Sequence, residues 1–162
     1  MIRVLALLLG LFAVPAQAAD VWANQFLART DSGRWVRVDI DQAEAIQASI
    51  NSPAGIALYV HCAMREADGA KQRVTYLSLS KANRPFMGDA TEVFVEFDRV
   101  NERSLGEFRY RGGGYTAEVD PGILRLMGEQ SWIRFRDGAA TLDARITLAG
   151  ARSAIESIRC PG

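Results

Sequence analysis

The sequence predicts a mainly β protein, an antiparallel β-sandwich or curved sheet with two or three short helices, with an α+β arrangement as the alternative. Three observations carry this. Apolar residues recur with period two over most of the chain beyond residue 33, glycine-rich turns separate the runs at short intervals, and no long helical pattern lies between them. A parallel doubly wound sheet would need such helices between its strands.

The elements follow in order. Arg3 precedes an apolar run from Val4 to Val14, which Pro15 ends, and Ala16-Gln17-Ala18 places small residues where a signal peptidase reads them. The run is shorter than the ~20 residues a membrane helix needs. Residues 1–18 are therefore expected to be a signal peptide, and 19–162 a single β-rich domain, not membrane-spanning once processed. "RWVRVDI" (34–40) is rich in β-branched and aromatic residues and reads as a strand, while "DQAEAIQASIN" (41–51) collects helix formers ahead of the Asn51-Ser52-Pro53 turn and reads as a helix. "GIALYVHC" (55–62) is continuously apolar, as a strand buried on both faces would be. "QRVTYLSLS" (72–80) and "TEVFVEFD" (91–98) alternate. "GEFRYR" (106–111) and "YTAEV" (115–119) flank a triple glycine suited to a hairpin, and "SWIRFRD" (131–137) and "ATLDARITL" (140–148) flank Asp137-Gly138. Asp120-Pro121-Gly122 opens a short helix through Met127. Gly150 caps a second, with Ala151, Ala154, Ile155 and Ile158 forming one apolar stripe.

Composition bounds the function. Without Arg3 the mature chain has 18 basic against 19 acidic residues, so no basic excess drives nucleic-acid binding. Cys62 and Cys160 are the only cysteines, an even pair in a chain bound for an oxidising compartment, and are expected to form a disulfide. Closing a loop of about a hundred residues, that bridge contributes about 4–5 kcal/mol in the chain-entropy account. His61 is the single histidine, which leaves no histidine-rich metal site. Strand alternation sends its side chain and that of Cys62 to opposite faces, so the two are not expected to share a metal or form a nucleophile–base pair.

No metal, cofactor or catalytic set is expected. Glu92, Glu96 and Asp98 share one strand face at the ~7 Å spacing of alternate residues, which a two-carboxylate glycosidase could use. The arginines at 109, 111, 134 and 136 also alternate and favour a solvated face of cross-strand ion pairs. Arg109, Tyr110, Arg111, Tyr115, Trp132 and Arg134 are the candidate binding surface, because aromatic residues beside arginines suit a protein or glycan contact; the same aromatics suit a hydrophobic core as the other reading.

"VFVEFD" (93–98), "ILRLMGEQSWIRFR" (123–136) and "ITLAGARSAIESIRC" (146–160) resemble a pattern of small exported bacterial proteins, the periplasmic type VI secretion-associated family and related uncharacterised envelope proteins. The residues concerned are Asp98, Leu148, Gly150, Ala154, Ile155 and Cys160, with Cys62 as the earlier cysteine. The resemblance implies an envelope accessory role without catalysis. The expectation is thus a periplasmic or secreted interaction protein whose partner is another envelope or secreted protein. The alternatives are an inhibitor or binder of an extracytoplasmic enzyme such as lysozyme, presenting the Arg111–Tyr115 hairpin, and a glycan hydrolase using Glu92, Glu96 or Asp98.

Overall fold

The structure is a computed structural model and describes residues 35–39, 46–51, 55–82, 84–111 and 113–158. The expected leader at 1–18 and Cys160 lie outside the described residues. Nine strands are described: β1 (Val36–Asp39), β2 (Ile46–Asn51), β3 (Ala57–Ala67), β4 (Ala70–Ser80), β5 (Ala90–Phe97), β6 (Val100–Arg111), β7 (Gly114–Glu118), β8 (Trp132–Asp137) and β9 (Asp143–Thr147). They form one antiparallel sheet in the order β1-β2-β3-β4-β7-β6-β5-β8-β9. Helix α1 (Gly122–Glu129) joins β7 to β8, and α2 (Ala151–Ser157) follows β9. The protein is mainly β, and of the two forms expected the curved sheet is the one present.

Curvature follows from the edges. Laid flat, nine strands at about 4.8 Å spacing would measure roughly 38 Å across. Yet α2, a seven-residue helix only about 10 Å long, follows the strand at one edge and touches β1 at the other. The Trp35 ring, at the start of β1, lies beside Gly150, at the start of α2. The sheet must curl to bring both edges to one helix. Between β5 and β6 the register shifts twice, at Glu92/Phe94 and at Val95/Phe97, and Gly106 adopts φ 85° opposite the first shift. Such bulges add local twist and bend the strand that carries them.

One face of each central strand fills the concave side: Leu58 and Val60, Leu77 and Leu79, Tyr115 and Ala117, Phe108, Val93 and Val95, Ile133 and Phe135, and Ala144 and Ile146. Ile123, Leu124 and Met127 of α1 complete this core with Ala151 of α2 and Ile158 just beyond it. The expected stripe on α2 is therefore real, with Ala154 and Ile155 packed at its margin. The Asp120 carboxylate accepts the Gly122 N–H at 2.7 Å, an Asx turn that leads into the helix, whose N-cap is Pro121 rather than Asp120.

One expected element is corrected. Residues 46–51 are strand β2, paired to β1 and β3, rather than part of a helix over 41–51; residues 41–45 lie outside the described residues. Ile46, Ala48 and Ile50 stand opposite Cys62, Val60 and Leu58. Their spacing of two fits a strand, and pairing with the open edge of β3 outweighs the helix propensity of Gln47 and Ala48. The β3–β4 hairpin is longer than the apolar runs suggest. It closes through Asp68 (φ 53°) and Gly69 (φ 74°), the paired positive φ of a tight hairpin turn. Among the described residues no helix is long and apolar enough to cross a membrane.

Candidate interaction face

The convex face of β6, β5, β8 and β9 carries the polar half of each alternation. Register places Glu96 opposite Arg134, and Arg136 opposite Asp143. The Arg134 guanidinium donates twice to the diagonal Asp143, at 2.7 Å from Nε to Oδ1 and 2.7 Å from Nη2 to Oδ2, and stands 3.8 Å from Glu96. Arg136 pairs with Glu102 across β5, and Arg109 with Glu107 at 2.6 Å. Ser104 donates to Glu92 at 2.7 Å. Beside this lattice the Arg145 guanidinium lies 4.2 Å from the centre of the Trp132 ring, a cation–π contact.

These contacts set the charge states. Hydrogen bonds from Arg134 hold the Asp143 carboxyl below its usual range, and the same bonds raise the Arg134 guanidinium. Hydrogen bonding from Ser131, whose N–H donates at 3.1 Å, likewise lowers Asp98. A general acid needs the opposite displacement. Asp98 and Asp143 are thus held as carboxylates that fix neighbouring segments, Asp98 pinning the start of β8. Asp137, at the end of β8, closes the turn into β9. Burial pushes its carboxyl up, but the N–H groups of Leu142 and Thr141 and the Thr141 hydroxyl outweigh this and lower it.

The six candidate surface residues do not form one cluster. Trp132 and Arg134 lie on the convex face of β8. Arg109 is on the same face of β6, and Arg111 is exposed at that strand's end. Arg109 pairs with Ala90 and Arg134 with Glu96. Six residues of β5 therefore separate the two arginines, about 20 Å along the strand. Tyr110 and Tyr115 are register partners that point to the concave side, ring centres 5.0 Å apart. Tyr115 is fully buried, so its expected place on a contact surface is corrected. Its hydroxyl donates to the Met87 carbonyl and accepts the Met87 N–H at 3.0 Å, while Phe86 meets its ring edge-on. A tyrosine placed there ties the loop before β5 to the core instead of presenting the hairpin. Arg145 and Asp143, absent from the expected set, belong to the face. The alternation of "DARIT" (143–147) marks both as outward positions.

Cys62 is buried on the concave side, its Sγ 4.0 Å from the Thr75 hydroxyl. His61 points the other way and stacks on Tyr76 with ring centres 5.2 Å apart, so strand alternation separates the two as expected. Burial lowers the His61 imidazole to about 4, favouring its neutral form. Among the described residues no group of three His, Cys, Asp or Glu side chains is placed to hold a metal ion.

The described residues that carry the family resemblance have structural work. Asp98 holds the Ser131 N–H, Leu148 and Cys62 are buried, Ala154 and Ile155 pack against the core, and Gly150 takes φ 80° at the start of α2. No family model, no curated protein and no solved structure matches the chain.

Proposed function

We propose that the mature chain is an exported envelope accessory protein, periplasmic or released, that acts by binding another envelope or secreted protein through the convex face of β5, β8 and β9. The observation that carries this reading is the Trp132–Arg145 pair beside the Arg134–Asp143–Glu96 and Arg136–Glu102 networks. Tryptophan and arginine dominate the energetics of protein interfaces. Side chains already held in one geometry also lose less freedom when a partner docks. The apolar start of the sequence supports export. Cys62, buried on the concave side, supports a bridge to Cys160 that would tie the tail to β3.

The test is in-cell crosslinking from the convex face, followed by capture of the mature protein from envelope extract. A dominant partner, lost in a Trp132→Ala/Arg145→Ala variant of unchanged melting temperature, is the expected result. The same partner captured equally by that variant overturns the assignment of this face. A cell-wall hydrolytic activity that Glu96→Gln abolishes overturns the non-catalytic reading.

A further inference from the structure

Strands of unequal length meet in the middle of the sheet. β4 and β6 run for eleven and twelve residues, whereas β7 between them has five. β7 pairs with residues 76–79 of β4 and 109–111 of β6. After Glu118 the Val119 N–H still reaches the Thr75 carbonyl at 3.0 Å, and the chain then leaves the sheet through Asp120-Pro121 into α1. Beyond that point β4 continues to Ala70 and β6 extends back to Val100, with no described strand between them. The sheet therefore has a notch one strand wide, its flanking strands roughly 10 Å apart where β7 sets their spacing.

Both rims of the notch are open to solvent. Ala70, Lys71, Gln72 and Arg73 are exposed on β4, and on β6 exposure runs from Asn101 to Glu107, with only Leu105 half-buried. A Cβ built at Gly106 meets nothing within 4 Å. An open groove of about 540 Å³ follows the start of β6 along Arg99, Val100, Asn101, Glu102 and Arg103. On this side the backbone of residues 100–107 pairs with no described strand, so β6 is an edge inside the sheet, a template for one more strand.

Side chains on the β6 rim supply the chemistry. Arg103 stands opposite Val95 and Val100 opposite Phe97. Both partners are buried on the concave side, so Arg103 and Val100 lie on that side too. Val100 and Leu105 pack at the margin of the core. The nearby carboxylates are engaged, Glu102 by Arg136 and Glu107 by Arg109, and Arg103 forms no ion pair among the described residues. The rim thus presents a cation between two apolar side chains.

We infer that an extended acidic segment of a partner protein adds to the open edge of β6 over residues 100–107, continuing the line of β7, with an acidic side chain at Arg103 and apolar ones beside Val100 and Leu105. Main-chain hydrogen bonds hold such a segment, and its alternating side chains select it. A lone strand fits a notch of this width. The edge of a folded sheet, a second copy of this chain included, brings a neighbouring strand of its own and would overlap β4. The site is separate from Trp132 and Arg145 and does not rest on the convex-face reading.

The test titrates the mature chain, 19–162, with the synthetic peptide TVTETVT, blocked at both ends, which sets valine, glutamate and valine on one face of a strand. Amide NMR signals of residues 101–107 should shift as the peptide reaches millimolar concentration and should exchange with solvent more slowly, while those of β8 and β9 stay in place. The lysine counterpart, TVTKTVT, should bind about fivefold more weakly, and Arg103→Glu should reverse that preference. Trp132→Ala/Arg145→Ala should change neither result, which separates this site from the convex face. No shift along β6 at millimolar peptide, equal binding of the two peptides, or a preference unmoved by Arg103→Glu in a folded protein each overturns the inference.

Discussion

Replacing Tyr115 with phenylalanine tests the placement of that residue in the core. The ring volume is kept, so no cavity opens, and the contacts with Phe86 and Tyr110 persist. Only the hydroxyl is lost, and with it the donor to the Met87 carbonyl and the acceptor of the Met87 N–H. Met87 is 8% exposed, so both backbone groups are left buried without that partner. Each such loss costs about 1–3 kcal/mol, and the pair together about 2–4 kcal/mol allowing for relaxation of the loop. Urea denaturation of the mature chain followed by tryptophan fluorescence reads this directly, as a lowered midpoint with unchanged slope. For a domain of this size the thermal midpoint should fall by roughly 5–12 °C. A Tyr115→Phe protein within about 0.5 kcal/mol of the unsubstituted chain, the range of ordinary surface substitutions, would show that the hydroxyl is not the buried clamp described here.

Further outcomes follow from the same geometry. His61 has a folded-state value near 4 against 6.5 when unfolded, so the unfolded chain binds the extra proton between those values. Its contribution, at most about 3 kcal/mol, is full above pH 6.5 and is lost as pH falls toward 4; His61→Phe should flatten stability across that window, measured by urea midpoints at several pH values. Below it a separate acid loss is expected as the lowered carboxyls of Asp98, Asp137 and Asp143 take up protons, and Asp137→Asn should reduce this second phase. Gly106→Ala meets open space but must hold φ 85°, so a destabilisation of about 1–2 kcal/mol is expected without any steric clash; a neutral result would mean that the β5–β6 register differs. If Cys62 and Cys160 are bridged, intact-mass measurement should show the mature chain two hydrogens lighter than its reduced form, and Cys160→Ser should cost up to about 4–5 kcal/mol.

The strands at 55–62, 72–80, 91–98 and 131–137 were readable because the pleat imposes its period on each residue locally, whatever lies beside the strand. The same holds for the glycine at 150 and the stripe that follows it, since capping and a one-sided helix are properties of adjacent turns. Segment 46–51 was not readable, because isoleucine, alanine and isoleucine at alternate positions among helix formers suit both periods. The choice falls to the unpaired edge of β3, which lies several residues further along the chain.

Neighbour relations were hidden more deeply still. The triple glycine at 112–114 and Asp137-Gly138 disclose hairpins, but the tight connection from β5 into Val100 was not read, and nothing in chain order indicates that β7 lies between β4 and β6, or that β8 pairs with β5. That arrangement puts Arg134 against Glu96, and it separates Arg134 from Arg109 by the length of β5. It also turns Tyr115 inward to Met87, although its spacing from Arg111 suits an exposed loop equally well. Alternation tells which residues of a strand share a face. Which face meets the core, and which charges from distant strands meet on the other, is a matter of pairing between segments, and its free energy appears only when the sheet closes around α1 and α2.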